Sequence, residues 1–228
     1  MATKKRNYKV TSAHRSRALS LRVDRALRAR GIAPNSQSIR QVSAEEFHAA
    51  ISAGKPYIKR GWMVDVHSVE EYRGMKCYLT ADGKGGIAVG QHGSEKGNVA
   101  SLFSVGGGRK LAKLLPYAVA AGGRKLDCFA DGLQDMYAQY GAKATGQTPF
   151  NDEYAPDGWN ESEGRPPVVA MTLPRSLNEL IKSYNPDAKV DMKKVKTYYG
   201  DDGYTKMTDA RDRQMARGGK AALGLTAG

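Results

Sequence analysis

A strand that runs straight into three glycines, a helix and a second strand leaves a chain few ways to fold. Val99–Val105 reads as a strand, and Gly106-Gly107-Gly108-Arg109-Lys110 follows it directly. Leu111, Leu114, Leu115, Ala118 and Gly122 then fall at helical spacing, and Lys125–Phe129 supplies another strand. A strand–helix–strand crossover of this length predicts two parallel strands in one sheet. The turn also carries a chemical implication. Glycines remove the Cβ atoms that would hold a phosphate off the backbone, and the first turn of a helix offers N–H groups with no partner inside the helix. Arg109 and Lys110 add positive charge, so Val105, Gly106, Gly107, Gly108, Arg109 and Lys110 form the candidate anion site. The pattern is not a P-loop, and no glycine stands three residues after Gly108 to complete a dinucleotide fingerprint. A flexible turn without a ligand is the plain alternative.

The flanking sequence alternates helix and strand signals. Ser43-Ala44-Glu45-Glu46 reads as a capping box for a helix with Phe47, Ala50 and Ile51 on its inner face. Strands are expected at Trp62–Val66, Lys76–Thr80, Gly86–Gln91 and Asn98–Val105, with a hairpin turn at Asp82-Gly83-Lys84-Gly85. Asp131 with Gln134 is the expected cap of a later helix, whose inner face holds Leu133, Met136, Tyr137 and Tyr140. Residues 142–150 and 168–173 read as a last strand pair around the long loop Asn151–Pro167, and Ser176 with Glu179 starts a further helix. The expected fold class is α/β (α+β): a mixed, mostly antiparallel sheet of six or seven strands flanked by helices.

Charge divides the chain in three. Of the net +13, residues 1–40 hold eleven Lys/Arg against one acid, Asp24, while 41–185 hold sixteen of each and 186–228 hold nine against six. The expectation is a basic arm at 1–40 with one short amphipathic helix between about Ser16 and Gly31, a neutral domain at 41–185, and an extended tail at 186–228. A polycationic arm favours nucleic acid through counterion release, the alternative being a solvated extension. No apolar run approaches the ~18 residues of a membrane span, so no membrane partner is expected. MATKKRNYKV lacks the apolar stretch of a secretory signal. Cys77 and Cys128 are too few for a disulfide framework or a four-ligand zinc site, which favours a reducing compartment such as the cytoplasm.

Over residues 43–173, the order helix, antiparallel strands, glycine turn, helix, strand, helix, strand resembles the GNAT superfamily of acyl-CoA-dependent N-acetyltransferases. In that family a Gln/Arg-x-x-Gly-x-Gly/Ala turn holds the pyrophosphate of coenzyme A. Phe103-Ser104-Val105-Gly106-Gly107-Gly108 keeps the glycines and puts Phe103 in place of the polar residue. The family's Leu-Tyr-x-x-x-Gly-Phe is matched at the tyrosine and the glycine by Met136-Tyr137-Ala138-Gln139-Tyr140-Gly141-Ala142. Leu126–Trp159, with Pro149-Phe150-Asn151-Asp152-Glu153-Tyr154-Ala155-Pro156, also looks like small GNAT-like proteins of bacteriophages and mobile elements. Pro116, inside the helix after the turn, departs from an ordinary helix interior and predicts a kink.

The resemblance implies acetyl-CoA as cofactor, an amine as acceptor, and Tyr137 as the general acid that returns a proton to the leaving thiolate. A core tyrosine is the alternative for Tyr137. The base stays open among Asp65, His67, Glu70, Glu71, Asp127 and water. The second functional reading is a non-catalytic nucleic-acid-associated or virion-associated protein on the same fold, located in the virion. His14, His48, His67 and His92 lack metal-ligand spacing, and Asp201-Asp202-Gly203 lacks the later Glu of a calcium loop. Cys128 reads as an inert core thiol, and Trp159 as either a substrate-side aromatic or a loop anchor.

Overall fold

Helix α1 (Ser12–Arg28) is placed by two apolar residues four apart: Val23 and Leu27 are fully buried against the main core. In the computed structural model, which describes residues 12–32, 37–107 and 111–222, this helix belongs to the domain. Its serines hold it there. Ser20 Oγ accepts from the backbone N–H of Ile39 at 3.3 Å, and Ser16 Oγ from that of Gln41 at 3.2 Å. Both donors lie on strand β1 (Ile39–Val42), the outer strand of its sheet, so α1 covers an edge that would otherwise present free N–H groups. The expectation of a separate arm over residues 1–40 therefore does not hold for 12–28 and 39–40; residues 1–11 and 33–36 lie outside the described residues.

Ser43 caps α2 (Ala44–Gly54) through the backbone N–H of Glu46, but the reciprocal half of the expected box is missing, because the Glu46 carboxylate is drawn to Arg40. A complete box forms instead at Ser68 and Glu71, opening the short α3 (Val69–Arg73). Trp62–Val66 does not form the expected strand. It follows a left-handed Arg60 (φ 58°) into a 3₁₀ turn at Gly61–Met63 and then runs as irregular chain. The hairpin of β2 (Met75–Thr80) and β3 (Gly85–Gly90) forms as expected. Asp82 fixes its turn by accepting from Thr80 Oγ1 at 2.7 Å and from the Lys84 N–H at 3.0 Å.

The antiparallel order β1-β2-β3-β4 closes with β4 (Val99–Ser104). The ladder slips within it: Gly86 faces Phe103 and Ala88 faces Ala100, so Ile87 alone stands opposite Ser101 and Leu102. That is a β-bulge, and Ser101 within it takes a positive φ of 51°. The chain continues through α4 (Leu111–Ala120), β5 (Lys125–Phe129), α5 (Leu133–Ala138), β6 (Lys143–Thr148), β7 (Val168–Thr172) and α6 (Leu177–Ser183). Strands β5, β7 and β6 form a second antiparallel sheet in that order.

The architecture is thus mixed α+β, with antiparallel sheets flanked by helices, but among the described residues seven strands are divided four and three rather than joined in one sheet. The predicted parallel pairing of β4 and β5 is reduced to one bridge, Asn98 with Lys125. Beyond it the two strands part, because β5 pairs along its whole length with β7, from Lys125–Thr172 to Phe129–Val168. Pro116 is accommodated within α4, whose Leu114, Leu115, Tyr117, Ala118 and Val119 are buried. The buried Lys113 on the same helix pairs with Asp24 of α1 at 2.9 Å. Asp131 does not cap α5; the cap position falls to Gly132 (φ 89°), and Asp131 pairs with Arg60.

Residues expected as an extended tail return to the domain. Gln147 in β6 accepts from the Tyr198 N–H and donates to the Lys196 carbonyl, and helix α7 (Gly203–Ala222) packs across β6 and β7. No helix among the described residues is long and apolar enough to cross a membrane.

Candidate active site

The parting of β4 and β5 opens a cleft of about 1910 Å³. Its walls come from Val99–Ser104 and from Lys125–Phe129, with Gly106 and Gly107 beyond the end of β4. Since no ladder joins the strands past Asn98 and Lys125, their facing edges hold backbone N–H and C=O groups not used in a sheet between them.

The glycine turn follows β4 directly. The Val105 N–H donates to the Lys84 carbonyl at 2.8 Å, and Ser104 Oγ donates to the Gly107 carbonyl at 3.1 Å, so the turn is anchored at both sides. Gly106 and Gly107 take φ of 82° and 89°, which side chains disfavour, and among the described residues beyond their chain neighbours nothing lies within 4 Å of where a Cβ would stand. Open backbone is what close approach of an anion requires. Gly108, Arg109 and Lys110 lie outside the described residues. Phe103, where the family's pattern has a polar residue, turns its ring into the core against Phe47, with ring centroids 5.9 Å apart, in space left by Gly86.

Tyr137 lines the cleft from α5 and is 7% exposed, and its hydroxyl makes no hydrogen bond with a described residue. Burial, with a smaller contribution from neighbouring Cys128, raises its phenol above the ordinary tyrosine value. It is therefore uncharged at neutral pH, and a weaker acid than a free tyrosine. Cys128 is also buried, and desolvation pushes its thiol up, which leaves it unreactive.

The five carboxylate and imidazole candidates for the base separate clearly. Asp127 is occupied: it accepts from Tyr204 Oη at 2.8 Å and pairs with Arg211 at 3.2 Å. Glu70 pairs with Arg73 at 2.7 Å and does not line the cleft. Glu71 caps α3, and bonds from Ser68 hold its carboxyl below the usual range. Asp65 lines the cleft, and its carbonyl accepts from Ser101 Oγ at 2.9 Å. His67 lines the cleft with its ring edge-on to Tyr72, and its Nδ1 lies 3.8 Å from Glu71 Oε1. A hydrogen-bond chain fixes this wall to the bulge: the His67 N–H donates to Tyr72 Oη, Tyr72 pairs with Ser101 Oγ at 2.8 Å, and Ser101 donates to Asp65.

Sequence reasoning missed the wall that α7 supplies. Arg211 is buried and bonds to the Leu126 carbonyl, to Asp127 and to Asp212, while Lys125 holds Asp212 at 2.5 Å and the Ser94 carbonyl at 2.6 Å. These groups come from segments more than eighty residues apart, and no local spacing announces them. The cleft as a whole is acidic: nine of its lining residues are Asp or Glu, against Lys59, Arg60, Lys125 and Arg211. An aromatic run leads out of it, with Trp62 5.1 Å from Phe129 and Phe129 5.9 Å from Phe150. Trp159 is a loop anchor; its Nε1 donates to the Gly164 carbonyl at 2.8 Å and Arg165 lies over its ring. Asp201-Asp202-Gly203 leads into α7, where Asp202 pairs with Lys206 at 2.7 Å. Among the described residues no group of three or more His, Cys, Asp or Glu is placed to hold a metal ion.

Compared with protein-family models, curated proteins and solved structures, the chain has no match.

Proposed function

We propose that the protein is an acyl-CoA-dependent N-acyltransferase that passes an acetyl group directly to an amine. The observation that carries the reading is the cleft between the diverging strands, with an open glycine turn past the end of β4 and an unpartnered, protonated tyrosine on its wall.

The size of the cleft, its strand edges and the glycine turn support acetyl-CoA as the ligand, with the phosphates kept at the turn because the rest of the lining is acidic. The cleft exceeds the roughly 300–1,000 Å³ of common ligand pockets, leaving room for a long thioester and a second substrate. An extended arm carrying amide groups can pair with the edge groups of β4 and β5 other than the Leu126 carbonyl, which Arg211 holds, and the turn at Gly106 and Gly107 admits phosphate oxygens to the backbone. When bound, acetyl-CoA supplies the acyl group as an activated thioester. The chain's own groups then divide the proton work. His67, steadied by Glu71 and by its backbone bond to Tyr72, takes the proton that the amine must lose to attack. Tyr137, uncharged before the reaction, gives its proton to the departing sulfur. The excess of carboxylates favours an acceptor that arrives as a cation.

Tyr137→Phe tests the assignment, since it keeps the ring and its packing. Turnover should fall roughly 10²–10⁴-fold with acetyl-CoA affinity unchanged. Near-normal turnover would remove Tyr137 from the chemistry.

A further inference from the structure

Helix α1 has a side that the domain does not use. Its buried side is Ser16, Ser20, Val23 and Leu27; Arg15, Arg17, Arg22, Arg25 and Arg28 spread over the opposite side, and all five are exposed. None of the five makes an ion pair or hydrogen bond with a described residue. The helix has one acid, Asp24, and it is already committed to Lys113 at 2.9 Å. The solvent face is therefore cationic without internal compensation, and the five guanidinium groups span about 20 Å at 1.5 Å per residue.

We propose that this face binds the phosphate backbone of nucleic acid without regard to sequence. The charge pattern favours a linear polyanion, since duplex DNA offers a negative charge about every 1.7 Å along its axis. Arginine is also the side chain whose planar fork matches phosphate oxygens. A lipid surface fits less well. A helix lying in a membrane interface needs an apolar face to bury, and the apolar residues of α1 are spent on the core; Leu21, 57% exposed, stands alone among the arginines. Because α1 is fixed by Ser16, Ser20, Val23 and Leu27, the arginines are held on a rigid helix rather than strung along a loose arm. The binding is independent of the acyltransferase reading: a chain inactivated by Tyr137→Phe keeps it.

The test uses the full chain and labelled 20-base-pair DNA duplexes of unrelated sequence, with an RNA duplex alongside, followed by fluorescence anisotropy at several salt concentrations. The wild type should bind all duplexes alike and weaken steeply with salt. Replacing the five arginines together with Gln should lower affinity at least tenfold at 50 mM salt. It should also flatten the slope of log K against log salt by up to about 4.5, at 0.9 per lost phosphate contact. A second variant, with Lys4, Lys5, Arg6 and Lys9 changed to Gln, should keep most of the binding. Equal affinity of the five-Gln variant and the wild type overturns the proposal, as does a wild type that binds phosphatidylserine vesicles but no nucleic acid. Should the five-Gln variant fail to fold, Arg17→Glu and Arg25→Glu, each at the surface, should each lower the affinity several-fold, and no change in either overturns the proposal equally.

Discussion

The first and last helices among the described residues are both charged, and they dock on the domain by opposite means. Helix α1 turns its apolar residues inward and leaves its arginines free, so its burial is hydrophobic and its charge is available to a partner. Helix α7 buries a glycine, a methionine and an arginine at every fourth position, Gly203, Met207 and Arg211, and spends its charge on the domain. Charge content alone cannot tell the two roles apart. What separates them is whether each cation has a partner in the fold: the arginines of α1 have none among the described residues, and Arg211 has three.

The comparison can be broken first at α1. A chain beginning at Ser38 loses Val23, Leu27 and the two serines that cover the edge of β1. We expect it to lose its cooperative thermal transition by circular dichroism. A retained transition near the wild-type temperature would show that α1 is peripheral.

Next comes the polar dock of α7. Arg211→Met keeps the bulk of the side chain but leaves Asp127 with Tyr204 alone and Asp212 with Lys125 alone, which should cost about 1–2 kcal/mol in chemical denaturation. The exposed Arg25→Gln should change stability by less than about 0.5 kcal/mol. Comparable losses in the two variants would erase the distinction between the helices.

The smallest effect is in pH. Desolvation alone would raise the Asp212 carboxyl, but bonds from Lys125 and Arg211 outweigh it and hold the group below the usual aspartate range. Its contribution to stability is therefore present above the ordinary aspartate value of about 3.9 and is lost as pH falls through the lower folded value. Because Asp212 is partly exposed, the contribution should be under about 1 kcal/mol. Asp212→Asn should flatten the acid limb of stability against pH, and an unchanged limb would assign the acid sensitivity elsewhere.

Legibility in the sequence follows the same division. The α2 cap at Ser43, the β2–β3 hairpin and the inner faces of α4 and α6 are written in local periodicity and turn chemistry, and they form where expected. Helix α7 was not legible, because a face made of glycine, methionine and arginine has no apolar period to read. The cap of α5 departs from the sequence pattern for a related reason: Asp131 pairs with Arg60, seventy-one residues away. The division into two sheets was hidden as well. Local pattern predicts that a crossover joins parallel strands, yet β5 takes β7 along its full length and the bulge at Ser101 redirects β4. That same departure makes the cleft, so the glycine turn and Tyr137 could be named from the sequence, but the space between them could not.

The central claim is that this space is built for acetyl-CoA, and ligand-induced stabilisation tests it most directly. Acetyl-CoA titrated into the full chain should raise the melting temperature in a concentration-dependent way. At a hundredfold excess over Kd the added stability should be about 2.7 kcal/mol. Replacing Gly107 with Trp, which fills the open side of the turn, should abolish the shift while the unliganded protein still melts cooperatively. No shift with millimolar acetyl-CoA, or an equal shift in the Gly107→Trp variant, would contradict the account.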